Sequence, residues 1–450
     1  MTHTVTRRGL LKRLTQGGLA LTTAPLWTGM MLSACGSTSG GSSQITVFAD
    51  ANPQGEGLAP LVPLFEKETG IKVNYQVISE TEITNKASVA LAAGDGSLDV
   101  TWGGVSQLPR WETAGWIEPL DSYLADTSLV GKQFNPSDFI PACWQATLWQ
   151  GKRYGLPTLL DTNILMYRKD ILAEHQASVP ETIDELLAVC AQVNSTSIPA
   201  IVLRGKRGVH ANIWIFNIFF YGEGGHYYQG QQPGGPVPAG KLAADLTSPA
   251  AIKGLEIYSE FFLKHYTPAG SAAFDFPETT ATFKAGRAAM LVDDIAFGQE
   301  MVSALGDKVG FAPAPRGPAG QYPGFDTQMW FLAKGSRNKE AAIKFMVWST
   351  SPEIQLQAAK NGQYIGVTRQ STFNDPRFKE FVRPDLLAAF KADTPHLDLN
   401  HFVITPSFDV IGDYVSVAVT QAITGQLSPQ AALAAAQQQA ASYLATHPSS

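Results

Sequence analysis

From Gln44 onward, short β-branched runs trade places with segments of helical spacing. "QITVFA" (44–49) is strand-like, and "GLAPLVPLFEKETG" (57–70) carries Leu61, Leu64 and Phe65 on one helical face before a glycine stop. "IKVNYQVI" (71–78) returns to strand, "TEITNKASVALAAG" (81–94) to helix, and "LDVTWGG" (98–104) is a third strand running into a glycine loop. A β-α-β-α-β order predicts a parallel sheet covered by helices. In such sheets ligands gather past the carboxyl ends of the strands, which singles out Asp50, Asn52, Glu80 and Trp102.

Farther along, "GQQPGGPVPAG" (230–240) reads as an exposed loop, and "SPQAALAAAQQQAASYLA" (428–445) as a surface helix opened by Ser-Pro. No repeat of 20 to 50 residues is evident, which argues against a solenoid. No segment of the mature chain reaches the ~20 apolar residues of a membrane-spanning helix.

The N-terminus follows another pattern. "TRRGLLK" (6–12) places Arg7 and Arg8 before a leucine-rich turn, residues 14–34 carry no charge, and small residues lead to Cys35. Basic, then apolar, then small is the order of an export signal, expected over residues 1–35. The start resembles a twin-arginine motif, and "LSAC" resembles the lipobox of bacterial lipoproteins, in which Cys35 would be lipidated. "GSTSGGSS" then serves as a flexible tether over 36–44, with an rms reach of roughly 15 Å. The competing reading, an uncleaved membrane helix starting near Leu14, is weakened by the interrupting Gly, Thr and Pro. The expected location is extracytoplasmic, lipid-anchored to the cell membrane.

Composition changes this picture little. At 450 residues the chain exceeds one usual core, so two or three domains are expected. With 44% hydrophobic and 16% charged residues it has the makeup of a globular protein. A net charge of −6 without a basic run argues against nucleic acid as a partner. Besides Cys35 only Cys143 and Cys190 remain, either a disulfide or two buried small hydrophobes.

Catalytic patterns are missing. The chain has no G-x-S-x-G elbow, no H-E-x-x-H and no phosphate-binding P-loop, and its eight histidines are scattered. Neither a metal nor a cofactor is expected. Asp293–Asp294 could be a carboxylate pair, but strand neighbours point to opposite faces. Tryptophans instead stand among polar residues: Trp102 in "TWGG", Trp214 in "NIW" and Trp330 in "FDTQMW". Indole packs on the CH faces of sugars while Asp, Asn, Gln and Arg take the hydroxyls. For any single Trp, core packing competes with that role, most of all for Trp330 in the apolar "MWFLA".

Together, "LVPLFEKETGIKV", "LAAGDGSLDVTWGG", "KRYGLPTLLDTNILMYRKDIL", "ATFKAGRAAMLVDD", "GFAPAPRGP" and "NKEAAIKFMVWSTSPEIQLQAAKNG" are similar, in order and spacing, to the family 1 extracellular solute-binding proteins of ABC importers. The resemblance implies an α/β, two-lobe periplasmic-binding-protein-like fold with a hinge and an interlobe cleft. Lobe one would comprise 45–157 and 328–364, and lobe two 158–327 and 365–450. It also implies a non-enzymatic receptor, a monomer, that closes on a small sugar or polyol and presents it to an ABC permease. A secreted carbohydrate-active hydrolase and a receptor for a non-sugar solute are the alternatives.

By position, the resemblance adds Asp161 and Asn163 at the first crossing between lobes, and Asn212 and Trp214 opening a lobe-two helix. Asp294 follows "AAMLVD", Asp326, Gln328 and Trp330 lie at the second crossing, and Tyr364 and Arg369 flank the third. The bulky, polar "GFDTQMWF" departs from the family's small-residue version and argues against a long oligosaccharide cleft.

Overall fold

A computed structural model describes residues 44–238 and 240–447, except for the side chains of Glu80 and Thr81. Arg7, Arg8, Cys35 and most of the tether therefore lie outside the described residues.

The predicted opening is present with small shifts. Strands β1 (Gln44–Asp50), β2 (Lys72–Ile78) and β3 (Val100–Gly103) alternate with helices Pro53–Leu58, Val62–Thr69 and Glu80–Ala93. Gly70 and Gly94 end two of these helices in the left-handed conformation, which glycine adopts without a Cβ penalty. The C-terminal helix runs over Pro429–Thr446, its first turn capped by the Ser428 side chain.

The remaining strands are a short hairpin, β4 (Leu148–Trp149) with β5 (Lys152–Arg153), then β6 (Gly155–Asp161), β7 (Asn163–Arg168) and β8 (Ile201–Val202). They are followed by β9 (Met290–Asp294), β10 (Val309–Pro313) and β11 (Asp326–Leu332). Two larger sheets result, one ordered β2-β1-β3-β11-β6 and the other β10-β7-β9-β8. In the first, β1 runs parallel to β2 and β3, and β11 runs antiparallel to β3 and β6. Because β11 is reversed, its first residue, Asp326, lies at the same sheet edge as the last residues of β1 and β3.

One residue, Thr162, separates β6 of the first sheet from β7 of the second. Its hydroxyl donates to the Gly324 carbonyl (2.8 Å) and its carbonyl accepts from Ile295 N (2.8 Å). Asn163 N donates to the Pro323 carbonyl at 2.9 Å, so the returning chain before β11 runs beside the first crossing.

The third passage comes later than the expected boundary at 364. Leu160 N bonds the Gly366 carbonyl (2.8 Å), Ile140 N bonds the Thr368 carbonyl (2.8 Å), and Gln355 and Thr368 exchange hydrogen bonds. These bonds hold residues 365–369 with the first sheet. Helix Pro384–Asp393 packs on β10 of the second sheet, and the Gln299 side chain bonds the Phe381 carbonyl (2.7 Å). The boundaries at 157 and 327 likewise fall inside strands of the first sheet, β6 and β11.

Cys143 and Cys190 are both free and buried, and burial pushes the Cys143 thiol up to about 12. The loop over 230–240 forms no regular element among its described residues.

Gly366 lies so close to β6 that a Cβ there would sit 2.0 Å from the Leu160 carbonyl oxygen. Gly366→Ala must push the strand that leads into Thr162, and a loss of about 1–3 kcal/mol in urea unfolding is expected. An unchanged midpoint would mean that this approach has slack.

Candidate functional site

The edges of the two sheets that meet at Thr162 enclose a small cavity. It is lined by Asp50, Asn52, Pro53, Leu159, Asp161, Asp326 and Gln328 from the first half, and by Arg204, His210, Trp214, Phe276, Asp294, Ala296 and Phe297 from the second. Its volume is about 50 Å³. At ~10–15 Å³ per water that is room for a few waters, so the two sides stand nearly shut on each other.

Register explains why the carboxylates converge. Asp326 is the strand partner of Asp161, and Asp294 is the strand partner of Asn163. Asp161 and Asn163 are neighbours across Thr162, so three aspartates from different parts of the sequence meet at the junction.

Gln328 fixes one wall. Its Oε1 accepts from Asn52 Nδ2 (2.7 Å) and Trp102 Nε1 (2.6 Å), while its Nε2 donates to Asp161 Oδ2 (2.9 Å). Asn52 in turn caps helix Pro53–Leu58, accepting from Gly55 N at 2.8 Å. The opposite wall is tied by Arg204, whose Nε lies 3.0 Å from Asp293 Oδ1 and whose Nη1 donates to the His210 carbonyl (2.9 Å). Contacts that cross between the halves include Ser106 Oγ with His210 Nε2 (3.2 Å), and Arg110 Nη1 donating to Asp409 Oδ2 (3.3 Å).

Burial governs the charges. It pushes Asp294 up to about 7, opposed mainly by the Ala296 N–H and the Arg204 charge, with a hydrogen bond to Asp161 adding a smaller opposing effect. It pushes Asp326 up to about 6, opposed by the N–H groups of Val105 and Thr327. Desolvation, helped by repulsion from Arg204, lowers His210 to about 4, so the imidazole is neutral at pH 7.

Of the residues expected from sequence, Asp50, Asn52, Asp161, Trp214, Asp294, Asp326 and Gln328 line the cavity. Glu80 opens its helix, but its side chain lies outside the described residues. Trp102 does not line the cavity, and its indole N–H is spent on Gln328. Asn163 is fully buried beside the junction, with no hydrogen-bond partner for its side chain.

Four expected residues are used elsewhere. Asn212 turns away to the Phe408–Ile423 helix, its Oδ1 accepting from Ser416 Oγ (2.7 Å) and its Nδ2 donating to the Ser416 carbonyl (3.1 Å). Trp330 is the strand partner of Trp102, deep in the sheet, and packs 6.0 Å from Phe345. Tyr364 is buried outside the cavity near Tyr75, whose phenol is raised mainly by burial and secondarily by Tyr364. Arg369 stacks 3.5 Å over Phe139 and donates to the Thr350 and Asn135 carbonyls, lining a separate cavity of about 310 Å³.

Sequence reasoning missed Arg204, His210, Phe276 and Phe297. Arg204 stands just past β8, where the strand-end rule would have found it had the two-residue strand been recognised. Phe276 and Phe297 had no comparable signal, since one opens a helix and the other ends a single helical turn.

Comparison with known proteins gives concordant matches. The description "Bacterial extracellular solute-binding protein" fits residues 49–356. A mannitol-binding protein of Pseudomonas aeruginosa is 27% identical over 425 residues, covering 89% of this chain and 93% of the relative. An erythritol/L-threitol-binding protein of Mycolicibacterium smegmatis is 25% identical, covering 84% of each. An ABC transporter solute-binding protein of Agrobacterium vitis, solved with bound D-mannitol, shares the two-lobe fold: the TM-score is 0.76 at 24% identity, covering 90% of this chain and 99% of that one. A ribitol complex from Agrobacterium radiobacter gives a TM-score of 0.78 at 21% identity, covering 89% and 98%.

The raised carboxyls make stability depend on pH. Folded Asp294 and Asp326 hold protons up to about 7 and about 6, which the unfolded chain releases near 3.8. These two groups therefore contribute a loss of stability in the ligand-free protein as pH rises from about 4 to about 7, against which His210 and His401, lowered by burial to about 4, act in the opposite sense up to about 6.5. Asp393 and Asp398, raised by burial elsewhere, steepen the same slope, so the informative quantity is a difference. Asp294→Asn should flatten the dependence of Tm on pH over that range; a slope equal to that of the parent would contradict the assignment.

Proposed function

The chain belongs to the bacterial extracellular solute-binding protein family, and from that premise we propose that it is an extracytoplasmic receptor for a small neutral sugar or sugar alcohol. The observation that carries the reading is the convergence of Asp50, Asp161, Asp294 and Asp326 with Trp214 on one cavity between two sheets. Carboxylates accept hydroxyl protons, and the aromatic walls cover CH surface. The only guanidinium in the lining is held by Asp293, which disfavours an anionic solute. The polyol-binding relatives support the same chemistry.

Mechanism follows from the connections. A cavity of about 50 Å³ must widen to admit a solute, and the two halves are joined by only a few passages. Opening at those passages separates the walls, and a solute touching both halves stabilises the shut form by its differential contacts. Delivery of the shut, loaded form to an ABC permease completes the proposed cycle. The N-terminal pattern ending at Cys35 supports export and lipid anchoring, and the receptor would act as a monomer. Among the described residues no helix is long and apolar enough to cross a membrane.

A thermal-shift screen against sugars, sugar alcohols, amino acids and oxyanions tests the reading. A solute at a hundred times its Kd should add roughly 2.7 kcal/mol. Shifts from amino acids or oxyanions alone would overturn it, and chemical turnover of a sugar would favour a hydrolase.

The half-exposed Arg110–Asp409 pair bridges the two halves. Arg110→Ala should weaken solute binding by no more than about fivefold, mainly through faster release, as read by stopped-flow fluorescence. A larger loss would mean that this pair does more than latch.

A further inference from the structure

A second cavity lies within the first half, with a volume of about 310 Å³. It shares no lining residue with the cavity at the strand ends. Its walls come from helix Val62–Thr69, helix Lys339–Ser349 and the segment 129–138. Phe65 and Trp348 pack 5.2 Å apart, and Val130, Phe134 and Val347 continue the apolar lining. The Trp348 indole is held by its N–H, which donates to Glu68 Oε2 at 3.1 Å. An apolar cavity of about 150 Å³ holds benzene, so this one has room for a ring and a short chain.

Three charged side chains line the same space: Arg369, Lys344 and Asp138. Arg369 is only 2% exposed, yet the protein uses part of its fork. Its Nε donates to the Thr350 carbonyl (2.8 Å) and its Nη1 to the Asn135 carbonyl (2.7 Å), while the group stacks 3.5 Å over Phe139. A guanidinium carries five N–H donors, and Nη2 takes part in neither bond. Asp138 does not absorb the remainder. It lies 3.9 Å from Nη1, and its oxygens accept from Ser371 N (2.9 Å) and Ser371 Oγ (2.6 Å). Burial lowers Arg369 to about 10, opposed by the Asp138 charge, so the side chain is cationic at pH 7. With the exposed Lys344, the lining carries two cations against one carboxylate.

We propose that this cavity is a second solute site, which takes a small organic acid with a flat apolar body, its carboxylate on Arg369 and its ring among Phe65, Phe134 and Trp348. The charge balance favours an anion, and a carboxylate matches the donors of a guanidinium. The rings supply contact for the apolar part, as in other small-molecule pockets of this size and make-up. A neutral apolar occupant would leave Nη2 without a partner, and a cation would meet like charge. The inference goes beyond the receptor reading and stands without it.

Isothermal titration of the whole protein with 3-phenylpropanoate tests it. Two controls accompany that probe: 3-phenylpropanamide keeps the ring and loses the charge, and acetate keeps the charge and loses the ring. 3-Phenylpropanoate should saturate one site and bind about tenfold or more tighter than either control, the scale of one charge-assisted hydrogen bond. Absence of saturable binding, or equal binding of the amide or of acetate, would overturn the inference. Arg369→Gln should erase the preference for the acid over the amide. Because that change also cuts ties to two carbonyls, loss of the fold would mimic the result. Val347→Phe fills the cavity without altering Arg369. In that variant, its fold checked by thermal unfolding, affinity for 3-phenylpropanoate should drop about tenfold or more. An affinity equal to that of the parent would place the acid elsewhere and overturn the site.

Discussion

The structure depends on one constraint, the single residue between β6 and β7. Thr162 leaves no slack between two sheets, so the register on either side of it is fixed together. Asp161 pairs with Asp326 on one side and Asn163 with Asp294 on the other. A one-residue slip in either ladder would turn the carboxylates to the opposite face. The threonine hydroxyl and carbonyl bond the segment leading into β11 and the residue after β9, which locks the three segments at one point. The same junction is a place where the halves can rotate, because so few residues join them. Precision within each half and freedom between them thus come from one local arrangement.

That arrangement gathers carboxyl groups where water is scarce. Burying several acids near one another costs stability when they are ionised, and Asp294 and Asp326 respond by holding their protons to higher pH. Partial relief comes from backbone N–H groups, from Arg204 and from the Gln328 amide on Asp161. The amide orients one oxygen of Asp161 and leaves the charge in place, so the wall is preorganised for a donor. Strain of this kind at a site is consistent with a protein whose shut form gains stability when loaded.

Much of this was legible in the sequence because it depends on strand ends. Asp50, Asp161, Asp294 and Asp326 each close or open a strand, and the alternating pattern marks β1 to β3 without reference to distant residues. The failures involve side chains whose direction is set from far away. Asn212 faces Ser416, 204 positions later, and Arg369 faces Asn135, 234 positions earlier. Trp330 shares a strand with Asp326 and Gln328 yet lies too deep in the sheet to reach the edge, a depth that residue order alone does not convey. The register shift between Gln328 and Met329 further separates those neighbours in space. Arg204 escaped notice because two residues are too few to read as a strand.

Gln328 shows how the supporting and contacting roles divide. Its amide oxygen accepts from Asn52 and Trp102 and its nitrogen donates to Asp161, three residues from different parts of the same sheet. One N–H of that nitrogen remains beside the bond to Asp161, and the position of the amide decides which way Asp161 points. Trp102, expected to stack on a ligand, spends its N–H on holding that amide. Hence carboxylates and amides share the cavity wall, with the Trp102 indole outside the lining holding the Gln328 amide that orients Asp161. The opposing half repeats the logic with Arg204, which is anchored by Asp293 and the His210 carbonyl and leaves Asp294 at the front. In the proposed receptor, such acceptors would already be in place, so the main work of binding would be to bring two finished walls together.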